Sequence, residues 1–156
     1  MKSRALILIM LAALIMLAAL MTGCVSGGQN GSAGSDGALA GIDAALDSGP
    51  VFVDFGAPWC TWCTQEEPII EELKAEYPGV TFIGVNIDEN GTLADAFYVD
   101  GIPQMDVVVK KNSDGSYLYA DVSGSTTANR RASAIIGYHE KADLEKALDA
   151  AVKARG

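Results

Sequence analysis

Val51-Phe52-Val53-Asp54-Phe55-Gly56-Ala57-Pro58-Trp59-Cys60-Thr61-Trp62-Cys63 is the stretch on which the reading of this chain turns. Residues 51–55 are β-branched or aromatic apart from Asp54, which predicts a buried strand. Gly56-Ala57-Pro58 breaks that strand. From Trp62 onward, apolar residues recur at Ile69, Ile70, Leu73 and Tyr77, a helical spacing. Cys60 therefore falls at a helix N-terminus, with Cys63 one turn inside. Unpaired backbone N–H groups and the positive end of the helix dipole favour a thiolate at that position. A thiolate that attacks a disulfide, with a second thiol close enough to resolve the mixed disulfide, is the working unit of thiol–disulfide exchange. Asp54 is an acid inside an apolar strand, which is costly unless the group is paired or functional. Burial would raise its pKa and suit it to take the proton of Cys63. The alternative is a structural acid satisfied by hydrogen bonds.

Asp54, Trp59, Cys60, Cys63, Pro68, Asn86-Ile87-Asp88 and Gly101-Ile102-Pro103 resemble the thioredoxin family in order and spacing. The resemblance is good over residues 38–112 and looser over 137–153. It implies a thioredoxin-like α/β fold, with a central mixed sheet of about four strands and helices on both faces. It implies Cys60 as the nucleophile, Cys63 as the more shielded resolving thiol and Asp54 as the base. It also implies a cis Ile102–Pro103 bond against the disulfide, with the backbone before it pairing with a bound substrate. Trp59, Trp62, Ile102 and Pro103 are then the candidate substrate-binding residues. The redox-active Cys60–Cys63 disulfide serves in place of any cofactor, and no metal is expected. The chain departs from the family at three places. Thr61-Trp62 stands where thioredoxin has Gly-Pro, Gly56 where it has a tryptophan, and Gly84 where it has a lysine near the buried acid.

The N-terminus carries a different signal. Lys2 and Arg4 precede residues 5–21, seventeen positions without a charge or a glycine. This reads as an export signal, short for a transmembrane helix of about 20 residues. Met21-Thr22-Gly23-Cys24 resembles the lipobox of prokaryotic lipoproteins, making Cys24 the candidate lipidation site. The alternative is an unlipidated thiol in an uncleaved anchor. Either way the protein is expected to be extracytoplasmic and tethered to the membrane of a prokaryotic cell envelope. Residues 25–37 are rich in Gly and Ser, and as a coil they would span about 20 Å. The expected organisation is a signal or anchor over 1–23, the Cys24 linker over 24–37, and one thioredoxin-like domain over 38–156.

The net charge is −9, and removal of Lys2 and Arg4 with the signal takes it to −11. So acidic a chain is not expected to bind nucleic acid or to dock electrostatically on anionic lipid. Of its three cysteines, assigning Cys24 to lipid leaves only Cys60 and Cys63. Two residues lie between them, so the pair cannot staple distant parts of the fold.

The remaining elements follow from periodicity and turn residues. A short helix is predicted over 38–47, with Leu39, Ile42 and Leu46 on one side and no strand before it. The helix 61–77 should be kinked at Pro68. A strand over 80–87, a helix over 92–98 with Thr92 near its N-cap, and strands over 104–110 and 117–122 should follow. An insertion of about fourteen residues relative to thioredoxin lies near 116–134 and contains Arg130-Arg131. It reads as a solvated loop or lengthened hairpin, or as a partner-contact loop. His139 reads as a surface or capping residue and Met105 as core. The last helix is predicted over 140–154.

Three functions compete at this stage. One is a tethered disulfide reductase or isomerase acting on exported protein thiols and disulfides. It would work as a monomer with an unidentified electron donor, or feed electrons to cytochrome or copper-site maturation. The second is a disulfide-forming oxidase. The third is a Cu(I) metallochaperone using Cys60, Cys63 and Met105.

Overall fold

The computed structural model describes residues 35–156. The signal segment, Cys24 and most of the linker lie outside the described residues. The element order is α1 (Ser35–Leu46), β1 (Val51–Gly56), α2 (Thr61–Glu76), β2 (Thr81–Asn86), α3 (Gly91–Ala96) and β3 (Gln104–Lys111). Then come β4 (Tyr117–Ala120), β5 (Thr126–Thr127), α4 (Arg130–Ser133), β6 (Ile135–Ile136) and α5 (Lys141–Arg155). α1 starts at the first described residue, so the expected absence of a strand before it lies outside the described residues. No described helix is long and apolar enough to cross a membrane.

The sheet order is β2-β1-β3-β4-β5, with β6 also on β3. β1 and β2 run parallel, and the other pairs are antiparallel. This is the expected mixed α/β sheet. It has six strands rather than about four because two two-residue strands are added, β5 within the insertion and β6 just after it. β4 pairs with β3 at Val107–Lys111 and β6 pairs with it at Gln104–Met105. Both lie along the side of β3 opposite β1, so the insertion is an excursion between two segments that pair with the same side of β3. It contains the lengthened hairpin β4–β5 and the short helix α4.

The two-residue period of β1 assigns its side chains to two cores. Val51, Val53 and Phe55 face Leu39 and Ile42 of α1 and Leu93 and Phe97 around α3. Phe52 faces Ile70 and Leu73 of α2 and Leu144, Leu148 and Ala151 of α5. Asp54 shares the parity of Phe52, which places it on the side covered by α2, the helix that begins at the cysteines. In the ladder it sits between Gly84 of β2 and Met105 of β3. Met105 is fully buried, as read from the sequence.

One cap differs from expectation. The N-cap of α3 is Asn90, whose Oδ1 accepts the Leu93 N–H at 3.3 Å, and Thr92 lies inside the helix. Both residue types cap well, but Asn90 is the one that stands before the first turn. Pro68 lies within α2, as expected.

Candidate active site

Cys60 is the N-cap of α2, with extended backbone (φ −86°, ψ 104°). Its Sγ accepts the Cys63 N–H at 3.1 Å. This N–H is one of the helix-start donors that lack an intrahelical partner, and here its partner is sulfur. Cys60 and Cys63 form a disulfide with their Cα atoms 5.3 Å apart.

The order of shielding is the reverse of the expected one. Cys60 is 6% exposed, whereas Cys63 is only half-buried. Small residues account for this. A Cβ on Gly56 would lie 3.4 Å from the Cys63 Sγ, so the missing side chain leaves that sulfur uncovered. Cys63 also lines a cavity of about 290 Å³ with Asp54, Glu67, Lys74 and Gly84.

Asp54 is half-buried, and its Oδ1 has no hydrogen-bond partner. Burial pushes its carboxyl up from 3.8 to about 6; the Lys74 charge opposes the rise and the Glu67 charge adds to it. Gly84 leaves room where the family carries a lysine, and Lys74 of α2 supplies a cation to the same cavity from another wall.

A second acid belongs to this site and was not read from the sequence. Glu66 is fully buried in α2, one helical turn past Cys63. Its Oε1 accepts the His139 N–H at 2.9 Å, and its Oε2 has no partner. Burial pushes it up to about 7; the His139 hydrogen bond opposes this and the Asp54 charge adds to it. The signal was available in the spacing 66, 70, 73, which gives Glu66 the face of Ile70 and Leu73. The adjacent Glu67 disguised it as part of a solvated pair. His139 is thus half-buried and holds Glu66 through its backbone, and it does not cap α5. Glu66→Gln keeps an acceptor for that N–H and removes the charge. It is expected to stabilise the fold at pH 8 by about 1–2 kcal/mol and to change nothing near pH 4, as read by denaturant unfolding.

The rim is apolar. Trp59 and Trp62 are 65% and 57% exposed. The Trp59 Nε1 donates to Asp88 Oδ2 at 2.8 Å, fixing the indole. Trp62 lies 6.1 Å from Tyr138, ring centroid to ring centroid. The Ile102–Pro103 peptide is cis. The Pro103 carbonyl accepts the Gly137 N–H at 2.8 Å, and Gly137 has φ +88°. The exposed residues Ile136 and Tyr138 on either side of that glycine extend the apolar rim. They too were missed, since they lie beyond the insertion.

A third buried acid, Asp106, lies on the other face of the sheet. Its Oδ2 accepts from Gln104 Nε2 at 2.9 Å. Burial raises its pKa to about 7, against the Gln104 hydrogen bond and the Arg130 charge. Among the described residues no group of three or more His, Cys, Asp or Glu could hold a metal.

A family model described as Thioredoxin matches residues 42–150. The chain is 46% identical over 64 residues to thioredoxin of Chlamydia pneumoniae, a match covering 41% of this chain and 63% of that one. It is 40% identical over 62 residues to Thioredoxin 1 of Nostoc sp., covering 38% and 58%. These matches span about three fifths of the length of those curated relatives. Among solved structures, Trichomonas vaginalis thioredoxin is similar with a TM-score of 0.55 at 28% identity, over 79% of this chain and 92% of that one. A mutant thioredoxin from Halobacterium salinarum gives a TM-score of 0.52 at 25% identity, over 71% and 82%. The family model covers the strands, the cysteine pair and the cis-proline loop together, and the chain belongs to the thioredoxin family.

Proposed function

We propose that this protein is a membrane-tethered thiol–disulfide oxidoreductase that reduces or isomerises disulfides of exported proteins. The observation that carries the reading is the pairing of two environments at one disulfide. Cys60 has a helix N–H on its sulfur, and Cys63 opens onto a cavity holding an acid with a free oxygen.

In the reduced protein, the Cys60 thiolate attacks one sulfur of a substrate disulfide. A Cys60–substrate disulfide forms and the other substrate sulfur leaves as a thiolate. The Cys63 thiol gives its proton to the Asp54 carboxylate and attacks the Cys60 Sγ. The Cys60–Cys63 disulfide closes and the second substrate thiolate leaves. Two electrons have passed to the substrate, and an electron donor must return the protein to its dithiol form. Asp54 and the Lys74 cation beside it set the pH at which Cys63 gives up its proton. Trp59, Trp62, Ile102, Pro103, Ile136 and Tyr138 form the surface on which the substrate lies, and the protein acts as a monomer.

The test is insulin reduction driven by a small dithiol, together with the reduction potential of the Cys60–Cys63 couple. Turnover of insulin at a potential towards about −270 mV supports a reductase. A value near −120 mV with no insulin turnover would make it an oxidant.

The tether is proposed from the sequence: Lys2 and Arg4, the apolar residues 5–21, and Cys24 after Met21-Thr22-Gly23. Mass spectrometry of detergent-extracted protein is expected to show an acylated Cys24 at the N-terminus. An intact Met1 would mean an uncleaved anchor instead.

A further inference from the structure

The insertion approaches the loop between α3 and β3, which ends in Gly101-Ile102-Pro103. That loop has little backbone support of its own. The Tyr98 and Val99 N–H groups bond back to Asp95 and Ala94, but Asp100, Gly101 and Ile102 make no backbone–backbone hydrogen bond. Tyr98 has φ +57°, so the chain turns sharply there.

Side chains supply what the backbone lacks. Asn129 caps α4 by accepting the Ala132 N–H, which turns two consecutive arginines towards different neighbours. The Arg130 guanidinium lies 4.5 Å from the Phe97 ring centroid and 5.3 Å from that of Tyr119. It donates to the Ala96 carbonyl and to the Tyr119 hydroxyl. Arg131 lies 4.2 Å from the Tyr98 ring centroid, and its Nη1 is 3.6 Å from Asp100 Oδ2. From inside, Gln104 Nε2 donates to the Phe97 carbonyl at 3.4 Å while Asp106 holds the same amide. Residues 96, 97, 98 and 100 are thus gripped by Arg130 and Arg131, immediately before the cis-proline.

We propose that Arg130 and Arg131 are positioning residues, by which the insertion fixes Gly101-Ile102-Pro103 in the conformation that receives a polypeptide disulfide. This rests on the oxidoreductase reading above and deepens it. A polypeptide must lie along the loop, whereas a small aromatic disulfide needs only the sulfur of Cys60. The two substrates therefore separate a loop effect from a thiol effect.

The experiment uses the full-length chain in detergent. Arg131 is largely exposed, with 62% of its side chain accessible, so Arg131→Gln should fold. Hydrogen exchange of the bonded Tyr98 and Val99 amides is expected to rise about three- to tenfold, the range for losing an exposed cation–π contact with its ion pair. Exchange in β1 should not change. The KM for insulin should rise by a similar factor. The kcat, and the rate with 5,5′-dithiobis(2-nitrobenzoate), should stay within about twofold. Arg131→Lys keeps a cation over Tyr98 and beside Asp100 and should restore most of the KM. Arg130→Gln should act in the same direction more strongly; if it does not fold, Arg131→Gln decides. Unchanged exchange at the Tyr98 and Val99 amides overturns the brace. Faster exchange with an unchanged KM overturns its link to substrate. An equal loss with insulin and with the small disulfide overturns a docking role, because the effect then lies at the thiols. A wild type that turns over the small disulfide but not insulin overturns the oxidoreductase reading for protein substrates, and exchange alone then judges the brace.

Discussion

Cys60→Ser is expected to reduce disulfide exchange to background, while Cys63→Ser should accumulate a mixed disulfide between Cys60 and the substrate. Exposure alone would assign the roles the other way, since Cys63 is the more open of the two sulfurs. Electrostatics decides against that. Attack requires a thiolate. Cys60 has a helix-start N–H on its sulfur at 3.1 Å, and the positive end of α2 acts at the same point. Cys63 opens onto a cavity lined by Asp54, Glu67 and Glu71, with Lys74 as its one cation. A second negative charge at Cys63 is therefore opposed until Asp54 has taken a proton, which suits a thiol that reacts second. Serine at position 60 offers no comparable anion at neutral pH. Insulin turbidity reads the first variant, and mass spectrometry of a non-reduced digest reads the second. An active Cys60→Ser with no adduct on Cys63→Ser would reverse the roles.

The fold was legible because local and global signals agree around β1. The run 51–55, the break at 56–58 and the helical spacing after Trp62 each point to the strand–turn–helix that forms. The parity that puts Asp54 beneath α2 was legible too, since it follows from a period of two. What was not legible depends on contacts between distant segments. Glu66 owes its burial to the segment at His139, 73 positions away. Ile136 and Tyr138 join the rim only because β6 returns to β3 after the insertion. The shielding of the two cysteines was reversed by the absent side chain at Gly56, and a missing group leaves no periodic trace. Asp106 shows the same limit. It lies within an apolar strand as Asp54 does, yet it faces the opposite core and holds Gln104. An acid in a strand marks a cost; only its neighbours show whether chemistry or architecture meets it.

Asp54→Asn should separate those two meanings at the site itself. Burial raises Asp54 from 3.8 to about 6. Between those values the folded protein keeps a proton that the unfolded chain has lost. Stability therefore falls as pH rises through that window and stays lower above it. A rise of two units corresponds to about 3 kcal/mol, and contact with the cavity should reduce the measured effect to about 1–2 kcal/mol. Asparagine has nearly the same shape and no charge to desolvate. The variant is thus expected to be more stable than wild type by about 1–2 kcal/mol at pH 7.5, and equal to it near pH 4, in denaturant unfolding of the disulfide form. Activity should move the other way. Without the carboxylate the Cys63 proton has no acceptor beside it, and resolution of the mixed disulfide should slow at least about tenfold at pH 7, a modest share of what a placed base can supply. Glu66 is a buried acid on which the Asp54 charge also acts, so the same measurements on Glu66→Gln show whether it shares the proton: slowed resolution there would make the pair, rather than Asp54 alone, the acceptor. A variant Asp54→Asn that is less stable than wild type yet fully active would make Asp54 a strut, and the proton of Cys63 would then have to leave through the cavity to water.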